Sequence, residues 1–320
     1  MLKIITIVSM LFSFQLFAID ENCLSQLEQL IETPAEKFLF ETQKHVFEPF
    51  QINCEKDQFE LNNLLTSGAF VFAHEGAHFA DLPILPEDLE APNKDYENPN
   101  FNLLTVFNER IGAPENFKEL PKPMDIVNNY IEVNHPEFLS PESVYMSTHD
   151  GYLLDPTSLA AINLLGLSTE LNGYTHGVVM EKKTKSKLPD MVSFPSEDSE
   201  TVYNIPNPYK GQIFQLDGLF YFLHTTNLYF NLLRDDHPEL WENFFTEHNK
   251  IYLKKLFSSS IETAASTNFC ENANRILNIG FYVNEFRNLN KEILEEIVGE
   301  ELVKQLLCEG YDLLTEVIED

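Results

Sequence analysis

Residues 156–180 read "PTSLAAINLLGLSTELNGYTHGVVM". Asp155 followed by Pro156 is an N-cap and first-turn pair, so a helix is expected to follow. That helix is apolar or neutral nearly all round, which places it in the interior of a helical protein. Glu170 carries the only formal charge in the stretch. On a helical wheel it shares its face with Leu159, Ile162, Gly166 and Leu167. A carboxylate in that position needs a cation or a strong hydrogen-bond set, because a buried unpaired charge is heavily penalised.

A source for that cation lies upstream, in "VFAHEGAHFA" at residues 71–80. His74 and His78 are four apart, so on a helix over residues 68–81 they project from one face, one turn apart. That spacing lets two imidazoles bind one tetrahedral metal ion. Glu75 is turned about 100° from His74, where it reaches a metal-bound water without taking a coordination position. The flanks Val71, Phe72, Ala73, Phe79 and Ala80 are uncharged, as a helix lying behind a metal site requires. Two packed core histidines and a buried acid would need separate hydrogen-bond solutions, whereas one metal satisfies the set.

His74-Glu75-x-x-His78 in its apolar frame resembles the extended signature of the zincin metallopeptidases. The resemblance implies zinc as cofactor, with Glu75 as general base toward a peptide bond. It covers two segments, roughly 68–81 and 157–176. Metzincins take their third ligand from a histidine six residues after the second, but that position is Ile84, and Asp81 replaces the turn glycine. The gluzincin arrangement fits better, with Glu170 on a later helix as third ligand. Its common acidic residue four positions after that ligand is replaced by Tyr174. Asp150 and His149 in "STHDGY" are the competing third ligands. Tyr174 and His176 are candidate donors to the oxyanion of a tetrahedral intermediate. His224, in the apolar run "LDGLFYFLHTTNLYFNLL", is expected to be a packed core histidine.

The rest of the chain sets the context. Residues 1–18 combine Lys3 with an apolar run and read as a signal peptide, so the protein is expected to be secreted or periplasmic. No later run is long and apolar enough for a stable membrane span after cleavage. A net charge of −30 disfavours nucleic acid as a partner, and the zincin resemblance implies a peptide or protein substrate. Four cysteines in an exported chain suggest two disulfides, and the sequence-local pairing is Cys23–Cys54 with Cys270–Cys308.

The expected fold is mainly α, with room for a small N-terminal sheet: a zincin-like active-site helix followed by a helical C-terminal lobe. Residues 19–181 form the metal-binding catalytic lobe, 182–212 a loop or linker opening on "KKTKSK", and 213–320 the helical lobe. Within these, 24–44 is expected to be helix, 45–53 strand and 82–100 a surface loop. Asp236 ahead of Pro238 marks a helix start, and "KEILEEIVGEELVKQLL" at 291–307 is amphipathic at the helical period. The favoured function is peptide-bond hydrolysis. Its alternatives are a zinc amidase acting on cell-wall peptides and a non-catalytic, metal-stabilised helical binding protein.

Overall fold

The computed structural model describes residues 73–78, 102–195, 202–207, 210, 213–272, 277–309 and 311. The expected signal peptide, the expected elements at 24–44, 45–53 and 82–100, and the expected Cys23–Cys54 pair lie outside the described residues. So do the ends of the motif helix, of which residues 73–78 are helical.

The protein is mainly α-helical, as expected, and the described residues include two small antiparallel sheets, the second within the stretch read as a linker. In chain order the elements are β1 (Asn102–Leu104), β2 (Arg110–Gly112), α1 (Pro123–Asn134), α2 (Val144–Tyr152), α3 (Leu159–Ile162) and α4 (Leu164–Lys187). There follow β3 (Met191–Pro195), β4 (Val202–Pro206), α5 (Gln215–Asp236), α6 (Pro238–Phe244) and α7 (Glu247–Ala265). The chain continues through α8 (Phe269–Asn272), α9 (Leu277–Asn288), α10 (Glu292–Val298) and α11 (Glu300–Leu306). Among the described residues no helix is long and apolar enough to cross a membrane.

Helices α4 and α5 form the centre and pack most extensively on each other. From Gln215 to Leu233, α5 is buried on every side except at Asp217. Its sequence "GLFYFLHTTNLYFNLL" has no charge to turn toward water, and α1, α4, α6, α7 and α9 cover it. His224 lies in this core, 5.4 Å from the Phe286 ring, as expected. Burial first, and then the charge of His135, lowers its pKa to about 3 and keeps the imidazole neutral.

The helix expected after Asp155 is two helices. Asp155 accepts from the Thr157 amide at 2.8 Å, making a turn, and α3 begins only at Leu159. Asn163 is extended (φ −161°, ψ 162°), and its side chain accepts from the Gly166 amide at 2.7 Å. That cap restarts the helix in a new direction, because an N-cap side chain satisfies an orphan amide best with its own backbone extended.

Helix α4 then runs past the expected boundary at 181. The region read as a linker, 182–212, holds the end of this helix and the β3–β4 pair, registered from Met191 opposite Pro206 to Pro195 opposite Val202. The basic run sits at a helix C-terminus, where cations suit the dipole. Lys185 is buried and pairs with Glu181 at 2.7 Å. The same carboxylate accepts from the amides of Phe214 (3.0 Å) and Gln215 (2.9 Å), so α4 supplies the cap that Phe214 cannot give α5. The Lys185 ammonium covers the Phe214 ring at 4.3 Å.

The C-terminal helices follow similar logic. Helix α5 runs through Asp236, and Pro238 occupies the first turn of α6 after His237, one residue beyond the expected cap. The single amphipathic helix expected at 291–307 is broken into α10 and α11 at Gly299, whose φ of +88° a side chain would resist. The Cys270–Cys308 disulfide forms as expected and ties α8 to the end of α11. Arg287 donates to the Leu307 carbonyl at 2.9 Å and closes that end.

Candidate metal centre

Helix α4 presents two polar faces. Glu170, Gly173 and Tyr174, at i, i+3 and i+4, point toward the motif helix. Asn172 and His176, at i and i+4, point toward the β1–β2 hairpin. Both donate to one acceptor, the Leu104 carbonyl, from Asn172 Nδ2 at 3.1 Å and His176 Nε2 at 2.7 Å. The hairpin is registered with Leu103 opposite Ile111, both buried, and these bonds fix it to the helix. His176 therefore has a structural partner at Nε2, and this geometry favours Tyr174 over it as an oxyanion donor.

On the other face, three donor atoms converge. His74 Nε2 and His78 Nε2 are 3.0 Å apart, and Glu170 Oε2 lies 3.4 Å from the first and 3.5 Å from the second. A tetrahedral ion with ligand bonds of about 2.0–2.1 Å has ligand–ligand edges of about 3.3–3.4 Å. The observed triangle brackets that value. Charge-assisted hydrogen bonds to a carboxylate are shorter, about 2.7–2.9 Å. The two imidazole nitrogens are within hydrogen-bond distance of each other, while Glu170 Oε2 stands off both at a spacing that suits a shared cation. His74, His78 and Glu170 could hold a metal ion, and no other group of three or more His, Cys, Asp or Glu residues among the described residues is so placed.

Electrostatics and packing agree with this. Burial pushes the Glu170 carboxyl up, but the charge of His78 and the contacts from His74 and His78 together outweigh it and hold the pKa at about 2. His74 is buried, and the side chains of His78 and Glu170 are only 19% and 16% exposed, with the Glu170 Oε2 atom itself buried. Glu75, next to His74, is partly buried.

Size is the reason for glycine at 173. A Cβ there would lie 3.2 Å from Cε1 of both imidazoles and 3.3 Å from His74 Nδ1. The two rings rest on bare helix backbone. Tyr174 then closes against His74, edge to face, at 4.5 Å between ring centroids. Its hydroxyl is 3.1 Å from that of Tyr152. Burial pushes both phenols up, the contact with Tyr152 pulls Tyr174 partly back, and the charges of Glu170 and Glu75 raise both, so both stay protonated.

The competing third ligands lie elsewhere. Asp150 is exposed. His149 is buried, with Nδ1 2.9 Å from the Tyr221 hydroxyl, and burial lowers its pKa to about 4. Neither belongs to the converging group. Sequence reasoning reached Glu170 because it is the one charge on an apolar helix, and Tyr174 because it follows one turn later. It missed Gly173, Tyr152 and Glu181, since a close approach, a hydroxyl pair and a cap on another helix leave no spacing signal. Comparison of the chain with family models, with curated proteins and with solved structures finds no match.

Proposed function

We propose that this chain is an exported zinc-dependent metallopeptidase of the zincin type, acting on a peptide or protein substrate. The observation that carries the proposal is the triangle of His74, His78 and Glu170 donor atoms, with a further carboxylate, Glu75, adjoining it on the motif helix. The donor set of two imidazoles and one carboxylate, three ligands among the described residues, suits catalytic zinc, whereas structural zinc is enclosed by four protein ligands. Zinc held there supplies Lewis acidity, polarising a carbonyl and acidifying water.

The chain's own residues do the rest. Glu75 takes the proton of the attacking water as general base and returns it to the leaving amine as general acid. Tyr174 donates its hydroxyl hydrogen bond to the carbonyl oxygen as charge develops on it. Glu170 stays ionised and, with His74 and His78, fixes the ion against α4. Gly173 keeps the two imidazoles close to the helix that carries Glu170.

The test is zinc content and peptide hydrolysis in wild type, Glu75→Gln, His74→Ala and Glu170→Ala. Glu75→Gln is expected to retain zinc and lose hydrolysis of a generic peptide library, and Glu170→Ala to bind zinc more weakly. Full zinc in His74→Ala refutes the ligand assignment. Zinc without hydrolysis in wild type leaves a metal-stabilised binding protein. Hydrolysis confined to peptidoglycan stem peptides makes the protein a cell-wall amidase.

A further inference from the structure

Tyr152 ends α2 and belongs to no motif, yet it meets the candidate metal centre through Tyr174. The Tyr174 ring is held on three sides. His74 packs edge to face against it, the Phe222 ring lies at 5.4 Å, and the third wall is the backbone of α5 at Gly218. A Cβ at Gly218 would stand 1.9 Å from Tyr174 Cε1, so only glycine admits the ring there. Tyr152 is held too, its ring perpendicular to Phe222 at 4.9 Å. With the ring fixed, the Tyr174 hydroxyl keeps one freedom, rotation of its O–H bond.

The 3.1 Å contact between the two hydroxyls limits that freedom. Two hydroxyls sharing one hydrogen bond divide the roles: one donates, and the other accepts and keeps its proton for a third group. Tyr174, not Tyr152, packs against the ring of His74. Its proton is the one that serves the site. We propose that Tyr152 is a positioning residue, donating to the Tyr174 oxygen and so turning the Tyr174 proton into the metal cleft toward the oxygen of a tetrahedral, anionic carbonyl adduct. This rests on the hydrolase reading of the His74–His78–Glu170 group. It adds that the cleft recognises that oxygen through a two-tyrosine unit built across α2, α4 and α5.

The experiment uses the full zinc-loaded chain and the variants Tyr152→Phe, Tyr174→Phe, the double variant and Gly218→Ala. Three quantities are read: zinc content, affinity for a panel of N-phosphoryl dipeptides as tetrahedral anionic mimics, and kcat and KM for peptide cleavage. The three tyrosine variants are expected to retain zinc. Tyr174→Phe should lower kcat by about 10²–10³-fold with KM little changed, the usual loss for one oxyanion donor, and should weaken the tightest phosphoryl dipeptide. Tyr152→Phe should lower both quantities by about 10-fold, and the double variant should match Tyr174→Phe alone, since residues acting as one unit are non-additive. Gly218→Ala, which drives the ring from that side toward His74, should lose kcat as Tyr174→Phe does and should weaken zinc binding as well.

A Tyr152→Phe protein equal to wild type overturns the proposal. So do losses that multiply in the double variant, and so does loss of zinc from Tyr152→Phe, which would make Tyr152 a support of His74 instead. If wild type holds zinc and binds a phosphoryl dipeptide but cleaves no peptide, the hydrolase reading fails, and the binding series alone decides the role of Tyr152. Cleavage by wild type without phosphoryl-dipeptide binding overturns the role of the tyrosine pair and leaves the hydrolase standing.

Discussion

Gly173→Ala sets two effects of opposite sign against each other. Glycine inside a helix is about 1 kcal/mol less favourable than alanine, so the substitution should stabilise α4 by about that amount. The new Cβ, however, would stand 3.2 Å from a carbon of each imidazole, where ordinary carbon contacts are about 3.5–4.0 Å. Both rings must retreat by about 0.3–0.8 Å to restore normal contact, and His74, wedged against Tyr174, has little room to do so. A disturbance of that size around metal-ligating histidines is expected to weaken metal affinity by about 10–100-fold. Each tenfold removes about 1.4 kcal/mol of metal-derived stability at a fixed excess of ion. The metal-free variant should therefore melt above wild type, by about 1.5 °C for a gain of about 1 kcal/mol in a chain of this size. The metal-loaded variant should melt level with loaded wild type or below it. Thermal melts with and without zinc, together with zinc competition against a chelator, measure both halves. A variant that melts higher in both states and binds zinc as tightly as wild type would show that the imidazoles do not rest on Gly173, and the geometry of the centre would be wrong.

Other perturbations separate fold from site. Glu181→Ala strands the buried Lys185 ammonium and uncaps the Phe214 and Gln215 amides, and is expected to destabilise by about 3–5 kcal/mol in urea unfolding, while Glu181→Met with Lys185→Met recovers most of it. His149 and His224, held by burial at about 4 and about 3 when folded, titrate near 6.5 when unfolded. The unfolded chain thus binds the extra protons, so stability is full above about pH 6.5 and falls as pH drops through the folded values, by about 3 kcal/mol for His149 alone. Denaturation midpoints from pH 7 to 4 should fall less steeply in His149→Phe, and an unchanged slope would refute the assignment. Removing the Cys270–Cys308 bridge, whose partners are 38 residues apart, should cost about 4 kcal/mol by loop-closure entropy. Unfolding of Cys270→Ser with Cys308→Ser checks this.

Much of the fold and of the centre was legible because burial leaves a trace in composition. The stretch from Gly218 to Leu233 carries no Asp, Glu, Lys or Arg and is rich in aromatic and aliphatic side chains, which suits a core helix, and a lone Glu170 on the apolar helix before it calls for a counter-charge. Helix ends were less legible. Asn163 breaks a stretch whose hydrophobicity continues across it, because a side-chain cap competes locally with helix propagation and leaves the apolar pattern intact. Gly299 splits an amphipathic run in the same way. The basic run at 182–187 was read as a linker because its lysines suit solvent, yet a solvated lysine face is also how a long helix ends. Tyr152 was beyond reach, since its importance comes from where α2 meets α4, and no spacing along the chain encodes that meeting.

Helix α4 holds Glu170 for the ion, Asn172 and His176 for the hairpin, and Glu181 for the start of α5, all on one unbroken rod. A residue inserted between Glu170 and Glu181 would advance everything beyond it by about 1.5 Å and turn it by about 100°. The centre and the cap on α5 could not both survive that turn. Sequences descended from this one should accordingly accept substitutions along α4 but not changes in its length. A library of single-residue insertions would map that intolerance as a sharp window between positions 170 and 181.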